Sequence, residues 1–147
     1  MTEKDLVIIG GGAAGMSSGI FASRLGLNTV ILEQLMPGGQ VINSEHIEDY
    51  PGFPEGISGA ELTAKMQDQA MSNGVDIELS EVTDITDEKD RWIVQTTAGA
   101  KSTKAIIIAG GSSLRKLQVK GEDELVGAES LTARLVMAHF SLTKMFA

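Results

Sequence analysis

Gly10, Gly12 and Gly15 stand in the spacing Gly-x-Gly-x-x-Gly, and a lone acid, Glu33, follows one helix and one strand later. These residue types recognise a ligand; they do not break bonds. The first glycine allows a tight turn, the second lets main chain approach a pyrophosphate, and the third lets a helix lie against a strand. The phosphates then rest on the helix N-terminus, where free N–H groups and the helix dipole favour negative charge. An acid at the end of the next strand accepts hydrogen bonds from ribose hydroxyls and repels a 2′-phosphate. Fingerprint and acid together mean an adenine dinucleotide, either FAD or NAD, and do not separate the two. The plain alternative is a ligand-free glycine turn with a solvated Glu33. The agreement of turn, helix, spacing and acid weighs against it.

Other chemistry is sparse. The chain has no cysteine, which excludes disulfides, thiolate metal sites and thiol catalysis within it. His46 and His139 have no second ligand at metal-binding spacing, and no serine, histidine and acid arrangement marks a hydrolase. No catalytic residue and no metal site is assigned. Asp87, Glu88, Lys89 and Asp90 read as a solvated turn.

The elements that must hold the glycines are legible in the apolar pattern. Leu6–Ile9 is a short, β-branched run that predicts a strand buried on both faces, broken by Gly10-Gly11-Gly12. Small and apolar residues from Ala13 to Leu25, stopped by Gly26, predict a helix packed closely on a sheet. Asn28–Glu33 predicts a second buried strand, completing a right-handed βαβ unit. Gln34–Gly59 holds all three prolines, Pro37, Pro51 and Pro54, and reads as a long functional loop. Ser58-x-x-Glu61 matches a capping box, and Leu62, Met66 and Ala70 continue a helix up to Gly74. Val75–Leu79 returns to strand character, and Glu81–Thr86 with Arg91–Thr97 predicts a small antiparallel meander, with Trp92 read as core. Ala105–Ala109 predicts another fully buried strand, stopped by Gly110-Gly111-Ser112.

The composition sets the frame. A chain of 147 residues, 42% apolar, suffices for one domain with one core. A formal charge of −8 and the lack of any polybasic run speak against a nucleic-acid or anionic-membrane surface. The mixed, polar start Met1–Asp5 does not resemble a signal peptide, and no apolar window reaches membrane-spanning length. The expectation is a soluble cytoplasmic protein.

Several further segments carry a family likeness. Gly10-Gly11-Gly12-Ala13-Ala14-Gly15, Gly38-Gly39-Gln40, Ile47–Pro54, Ile57-x-Gly59-x-Glu61-Leu62, Ala109-Gly110-Gly111-Ser112 and Gly121–Glu124 resemble, in this order, the N-terminal part of bacterial-type thioredoxin reductases. The resemblance covers residues 5–127. It implies an α/β fold: a three-layer FAD-binding domain of Rossmann type with a small β-meander, incomplete at its C-terminus. It also implies a homodimeric flavoprotein that passes electrons from NADPH through FAD to a disulfide and on to thioredoxin. By the resemblance, Gly10, Gly11, Gly12, Ala13, Ala14 and Gly15 lie along the pyrophosphate and Glu33 on the ribose. Leu35, Met36, Gln40 and Asp49 lie on the flavin side, Val82 reaches the adenine through its main chain, and Ala109 with Gly110 closes the site. Phe53 is left between core and flavin contact. Three positions depart from the pattern: Ala13 for a frequent proline, Asp49 for asparagine, and Gly110 for threonine. Asp49 places a negative charge near a group that accepts electrons.

The family's Cys-Ala-Thr-Cys motif and nicotinamide domain have no counterpart in the chain, so the resemblance implies a fragment without turnover that binds FAD at most. The domain expectation is an FAD-binding portion over 1–127 and an out-of-frame or disordered tail over 128–147. One permitted set of codons for Ala128–Phe140, read from the third base, gives Gly-Val-Ser-Tyr-Cys-Ala-Thr-Cys-Asp-Gly-Pro-Phe, which resembles the missing motif with its flanks. The competing reading of the tail is an amphipathic helix built on Leu131, Leu135, Met137, Ala138 and Leu142. For the whole chain the alternatives are a stand-alone FAD or adenine-nucleotide binder without catalysis, and a cysteine-free flavin reductase of the ferredoxin type.

Overall fold

A computed structural model of the chain describes residues 1–113, of which Met1–Ser112 form one compact unit. The tail over 128–147 and the Gly121–Glu124 motif lie outside the described residues. The order of elements is β1 (Thr2–Ile9), α1 (Ala13–Arg24), β2 (Thr29–Glu33), a 3₁₀ turn (Gly39–Asn43), α2 (Gly59–Ser72), β3 (Asp76–Leu79), β4 (Val82–Glu88), β5 (Arg91–Thr96) and β6 (Gly99–Ile108).

Among the described residues the strands form one six-stranded sheet in the order β3-β2-β1-β6-β5-β4. β1 pairs in parallel with β2 and with β6, and β2 with β3; β4, β5 and β6 form the antiparallel meander. The helices cover one face. Leu6, Ile8 and Ile31 of the sheet meet Met16 and Ile20 of α1 and Leu62, Met66 and Ala70 of α2 there. The other face carries Val7, Val30 and Leu32, and β4 and β5 fold back so that Val82 and Val94 pack on it. Helices, parallel strands and meander thus make three layers, as the family likeness implies.

Local signals account for the elements. Gly19 lets α1 sit close, since a Cβ there would meet Ile31 Cδ1 at 3.0 Å. Ser58 caps α2 by accepting the Glu61 N–H at 3.2 Å, while the Glu61 carboxylate goes to Lys65 at 3.4 Å. Ser23 of α1 also donates through its hydroxyl to the Asn73 carbonyl at the end of α2, joining the two helices at one end.

Three expectations change. β1 begins at Thr2, not Leu6, because Thr2–Lys4 pair with Lys101–Thr103 and extend the ladder into polar sequence. β6 begins at Gly99, and its apolar half is not buried: Ile107 is 37% and Ile108 75% exposed. The last rung between β5 and β6 is Trp92 with Thr103, so among the described residues no strand flanks β6 on that side beyond it. Trp92 is not core but 38% exposed, because it sits near the solvated turn that joins β4 to β5.

The polar start of the ladder is buried by charge pairing. Lys101, Ser102 and Thr103 are all buried in succession. Lys101 Nζ reaches both carboxylate oxygens of Glu78 on β3, at 2.9 and 2.7 Å. Lys4 Nζ reaches Asp76 on the same strand at 2.5 Å and Asn28 at 2.9 Å. Asp76 and Glu78 pair with Val30 and Leu32 in the register of β3 with β2. Two lysines from the middle of the sheet therefore strap its far edge strand.

Candidate functional site

The glycine loop lies between the C-terminal ends of β1, β2 and β6, where open α/β sheets place ligands. Gly10 donates its N–H to the Leu32 carbonyl at 2.8 Å, and Ala109 donates its own to the Ile9 carbonyl at 2.8 Å. Gly10 has a φ of +105°, and a Cβ there would lie 2.3 Å from the Ala109 carbonyl oxygen. A Cβ at Gly15 would lie 1.9 Å from the Gly10 carbonyl oxygen. Only glycine fits at these two positions, one for conformation and contact and the other for helix approach.

Gly12 is the N-cap of α1; it offers no capping side chain, and the first turn carries no acid. The N–H groups at the start of α1 therefore have no side-chain acceptor, the condition for receiving an anion. A second segment crosses this end. Gly38 donates to the Gly11 carbonyl at 2.9 Å and forms an isolated bridge with Gly12, and a Cβ on Gly39 would meet Gly12 Cα at 3.2 Å. Gly38 and Gly39 have φ of +130° and +60°. They are site-forming residues that the fingerprint alone does not reveal; the Gly-Gly pair inside an otherwise irregular loop was the available signal.

Glu33 is half-buried beside the loop. Its Oε2 accepts the Gly11 N–H at 2.7 Å and its Oε1 accepts the Leu35 N–H at 3.0 Å. A carboxylate has about four lone-pair positions, so capacity remains for ribose hydroxyls after these two bonds.

The structure brings Gly10–Gly15, Glu33, Leu35, Ala109 and Gly110 to one end of the sheet. Leu35 and Met36 are 79% and 61% exposed, following Glu33 in sequence. Gln40 is exposed on the 3₁₀ turn, one residue beyond the Gly38–Gly39 crossing. Asp49, with Tyr50, Phe53 and neighbours, lines an open groove of about 250 Å³. This loop is anchored by the Ile47–Ile57 bridge, and Tyr50 and Phe53 pack on the helix-side core with ring centroids 6.1 Å apart. Val82 starts β4, where the register shifts before Asp84. Among the described residues no cluster of His, Asp or Glu could hold a metal, and no helix is long and apolar enough to cross a membrane.

Residues 4–138 match the family model described as pyridine nucleotide-disulphide oxidoreductase. The chain belongs to this family. Among similar members, thioredoxin reductase of Bacillus subtilis is 39% identical over 123 residues, which cover 84% of this chain and 39% of that protein. The Listeria monocytogenes thioredoxin reductase is 42% identical over 125 residues, covering 84% of this chain and 38% of that one. A crystal structure of Lactococcus lactis thioredoxin reductase superposes with a TM-score of 0.79 at 41% identity, covering 84% of this chain and 40% of that chain. This pyridine nucleotide-disulphide oxidoreductase chain thus spans about two fifths of the length of the curated relatives it matches.

Proposed function

We propose that the chain is the N-terminal, FAD-binding portion of an NADPH-dependent thioredoxin-disulfide reductase. The observation that carries this reading is the glycine loop itself. The uncapped first turn of α1 lies beside a carboxylate, Glu33, that is fixed by two N–H groups. The residues present fit a dinucleotide. Positions Gly10 and Gly15 leave no room for a Cβ, and the α1 N–H groups suit a pyrophosphate. Gly10–Gly15 would hold the pyrophosphate, Glu33 the ribose, Leu35, Met36, Gln40 and Asp49 the flavin side, Val82 the adenine, and Ala109 with Gly110 the closing wall. The chemistry FAD supplies in such an enzyme is two-electron transfer between NADPH and a disulfide. Thioredoxin as partner, a homodimer and a cytoplasmic setting belong to the same reading of the complete enzyme.

This chain's own share is binding and orientation. With no cysteine among its residues, it offers no disulfide to reduce. The same fact favours a second reading, an FAD or adenine-nucleotide binder without catalysis. Titration of the purified chain with FAD, followed by flavin fluorescence, tests the first requirement. Saturable binding of FAD with no NADPH-driven disulfide reduction is the expected result; failure to bind FAD or any adenine nucleotide overturns both readings. The division at residue 127 is also a proposal: genomic sequencing through the Gly127 codon should show displaced cysteine codons beneath 128–147. A reading frame without them overturns the out-of-frame tail.

A further inference from the structure

Hydrogen bonds made by Glu33 and Ser80 link the glycine loop to the meander. Gly11 donates to the Glu33 carboxylate at 2.7 Å, and the Glu33 carbonyl accepts the Ser80 N–H at 2.8 Å. Ser80 Oγ lies 3.2 Å from Thr97 Oγ1 and accepts the Ala98 N–H at 3.2 Å. Thr97 Oγ1 accepts the Glu81 N–H at 3.2 Å, and Thr97 N–H donates to the Glu81 carbonyl at 3.0 Å. Two hydroxyls thus pin the β3–β4 turn to the β5–β6 turn. Ser80 is 4% exposed, so its hydroxyl is held where water does not compete freely.

The place of this knot matters. Ser80 follows the end of β3, next to the end of β2 where Glu33 stands, and Glu33 pairs with Leu79 in the register. Leu79 is 66% exposed, an apolar side chain beside the ribose acid. Just past the knot the β4 ladder shifts between Val82 and Asp84. A bulge of this kind releases main-chain groups from strand pairing and re-aims them. The acid and the exposed apolar side chain are paired across β2 and β3, and the shifted main chain follows three residues after Leu79, a set of groups suited to a ribose and a flat base.

We infer that Ser80 and Thr97 are positioning residues for the adenosine end of the dinucleotide. Their hydroxyl pair fixes the Ser80–Val82 main chain and Leu79 beside the Glu33 carboxylate and thereby sets affinity for the adenosine half. The inference rests on the dinucleotide reading above and adds residues outside the glycine fingerprint.

The test measures FAD and ADP affinity by calorimetry for the 147-residue chain and for T97V, T97S and S80A, with the melting temperature of each ligand-free variant as a second readout. T97V keeps the shape and removes the hydroxyl; it should weaken FAD and ADP alike by about tenfold, the scale of one net hydrogen bond, while still folded at the measuring temperature. T97S restores the hydroxyl and should bind as the parent does. Should T97V fail to fold, S80A carries the same expectation. ADP affinity within twofold of the parent in the folded variant overturns the inference, as does equal loss in T97S. A parent chain that binds neither FAD nor ADP removes the dinucleotide reading itself, and the inference with it, an outcome distinct from either variant result.

Discussion

Glu33 Oε2 lies 2.7 Å from the main-chain nitrogen of Gly11, so the acid braces the loop it serves. The second oxygen braces the Leu35 N–H. Glu33 therefore has a structural role, and under the proposed function a second, separable one toward a ribose.

Glu33→Gln keeps one acceptor oxygen and loses the charge. It should weaken FAD or ADP binding by about tenfold, as loss of a charge-assisted hydrogen bond does. Glu33→Ala removes both acceptors and should in addition cost about 2 kcal/mol of stability. Calorimetry and urea unfolding measure the two effects separately; a urea midpoint for Ala equal to that of the parent would show that the bonds to Gly11 and Leu35 carry no stability.

Gly15→Ala puts a carbon 1.9 Å from the Gly10 carbonyl oxygen, backbone that cannot swing aside as a side chain can. The helix must move off β1. A loss of about 3 kcal/mol is expected in urea unfolding, at the upper end of ordinary overpacking. Gly26→Ala has open space around its Cβ but a φ of +82°, so its cost is conformational only and should be about 1 kcal/mol. The ordering of the two variants is the check.

Lys101 and Glu78 form a pair in which the lysine side chain is 10% and the glutamate 35% exposed. Removing one partner leaves a poorly hydrated charge, whereas removing both does not. Lys101→Met alone should cost about 2 kcal/mol, discounted because Glu78 retains some water. The double variant Lys101→Met with Glu78→Gln should recover a measurable part of that loss. A fully additive double variant in urea unfolding would mean that the pair has no coupling.

Lys104 donates to Asp5 at 2.7 Å, and Asp5 also accepts the Asn28 N–H at 3.0 Å. The Lys104 hydrogen bond first, then the Asn28 bond, hold the Asp5 carboxyl below its ordinary 3.8. The bond to Asp5 raises the Lys104 ammonium above 10.5. A lowered acid stabilises the fold fully above the unfolded value, and that contribution disappears as pH falls through the native value. A raised base stabilises fully below its unfolded value, and that contribution disappears as pH rises through the native one. Asp5→Asn should therefore flatten the urea-midpoint profile on the acid side below 3.8 and on the alkaline side above 10.5, with little change of slope between them. Lys104 is exposed and Asp5 is half-buried at the surface, so added salt should shrink the effect.

Residue type carried most of the helix-side core and the glycine loop. Leu6–Ile9 and Thr29–Glu33 are apolar runs because both faces are covered, and such runs are readable without a partner. Gly10 and Gly15 are readable because their reasons are local: a turn and a helix contact. What escaped were features set by distant partners. Thr2–Lys4 and Lys101–Thr103 look like solvent-facing sequence, yet they are inner rungs of the sheet, since Asp76 and Glu78 neutralise the lysines from β3. Ile107 and Ile108 look like core, yet they lie past the point where β5 leaves β6. The Ile47–Ile57 bridge folds the segment between them onto the helix-side core, a pairing with no sequence periodicity to announce it.

Among the described residues β6 is the last strand along the chain yet lies in the middle of the sheet, between β1 and β5. During synthesis, β1, β2 and β3 leave the ribosome with the inner edge of β1 unpaired, and it stays so until the chain past Ile108 is free. The wall that Ala109 gives Gly10 arrives at the same moment. A nascent chain stopped anywhere before that point holds an exposed parallel-strand edge and an unfinished glycine loop. Completion of the glycine loop, closure of the meander on the parallel strands and cover for the edge of β1 thus all depend on one long-range pairing, the kind of contact that is slow to form.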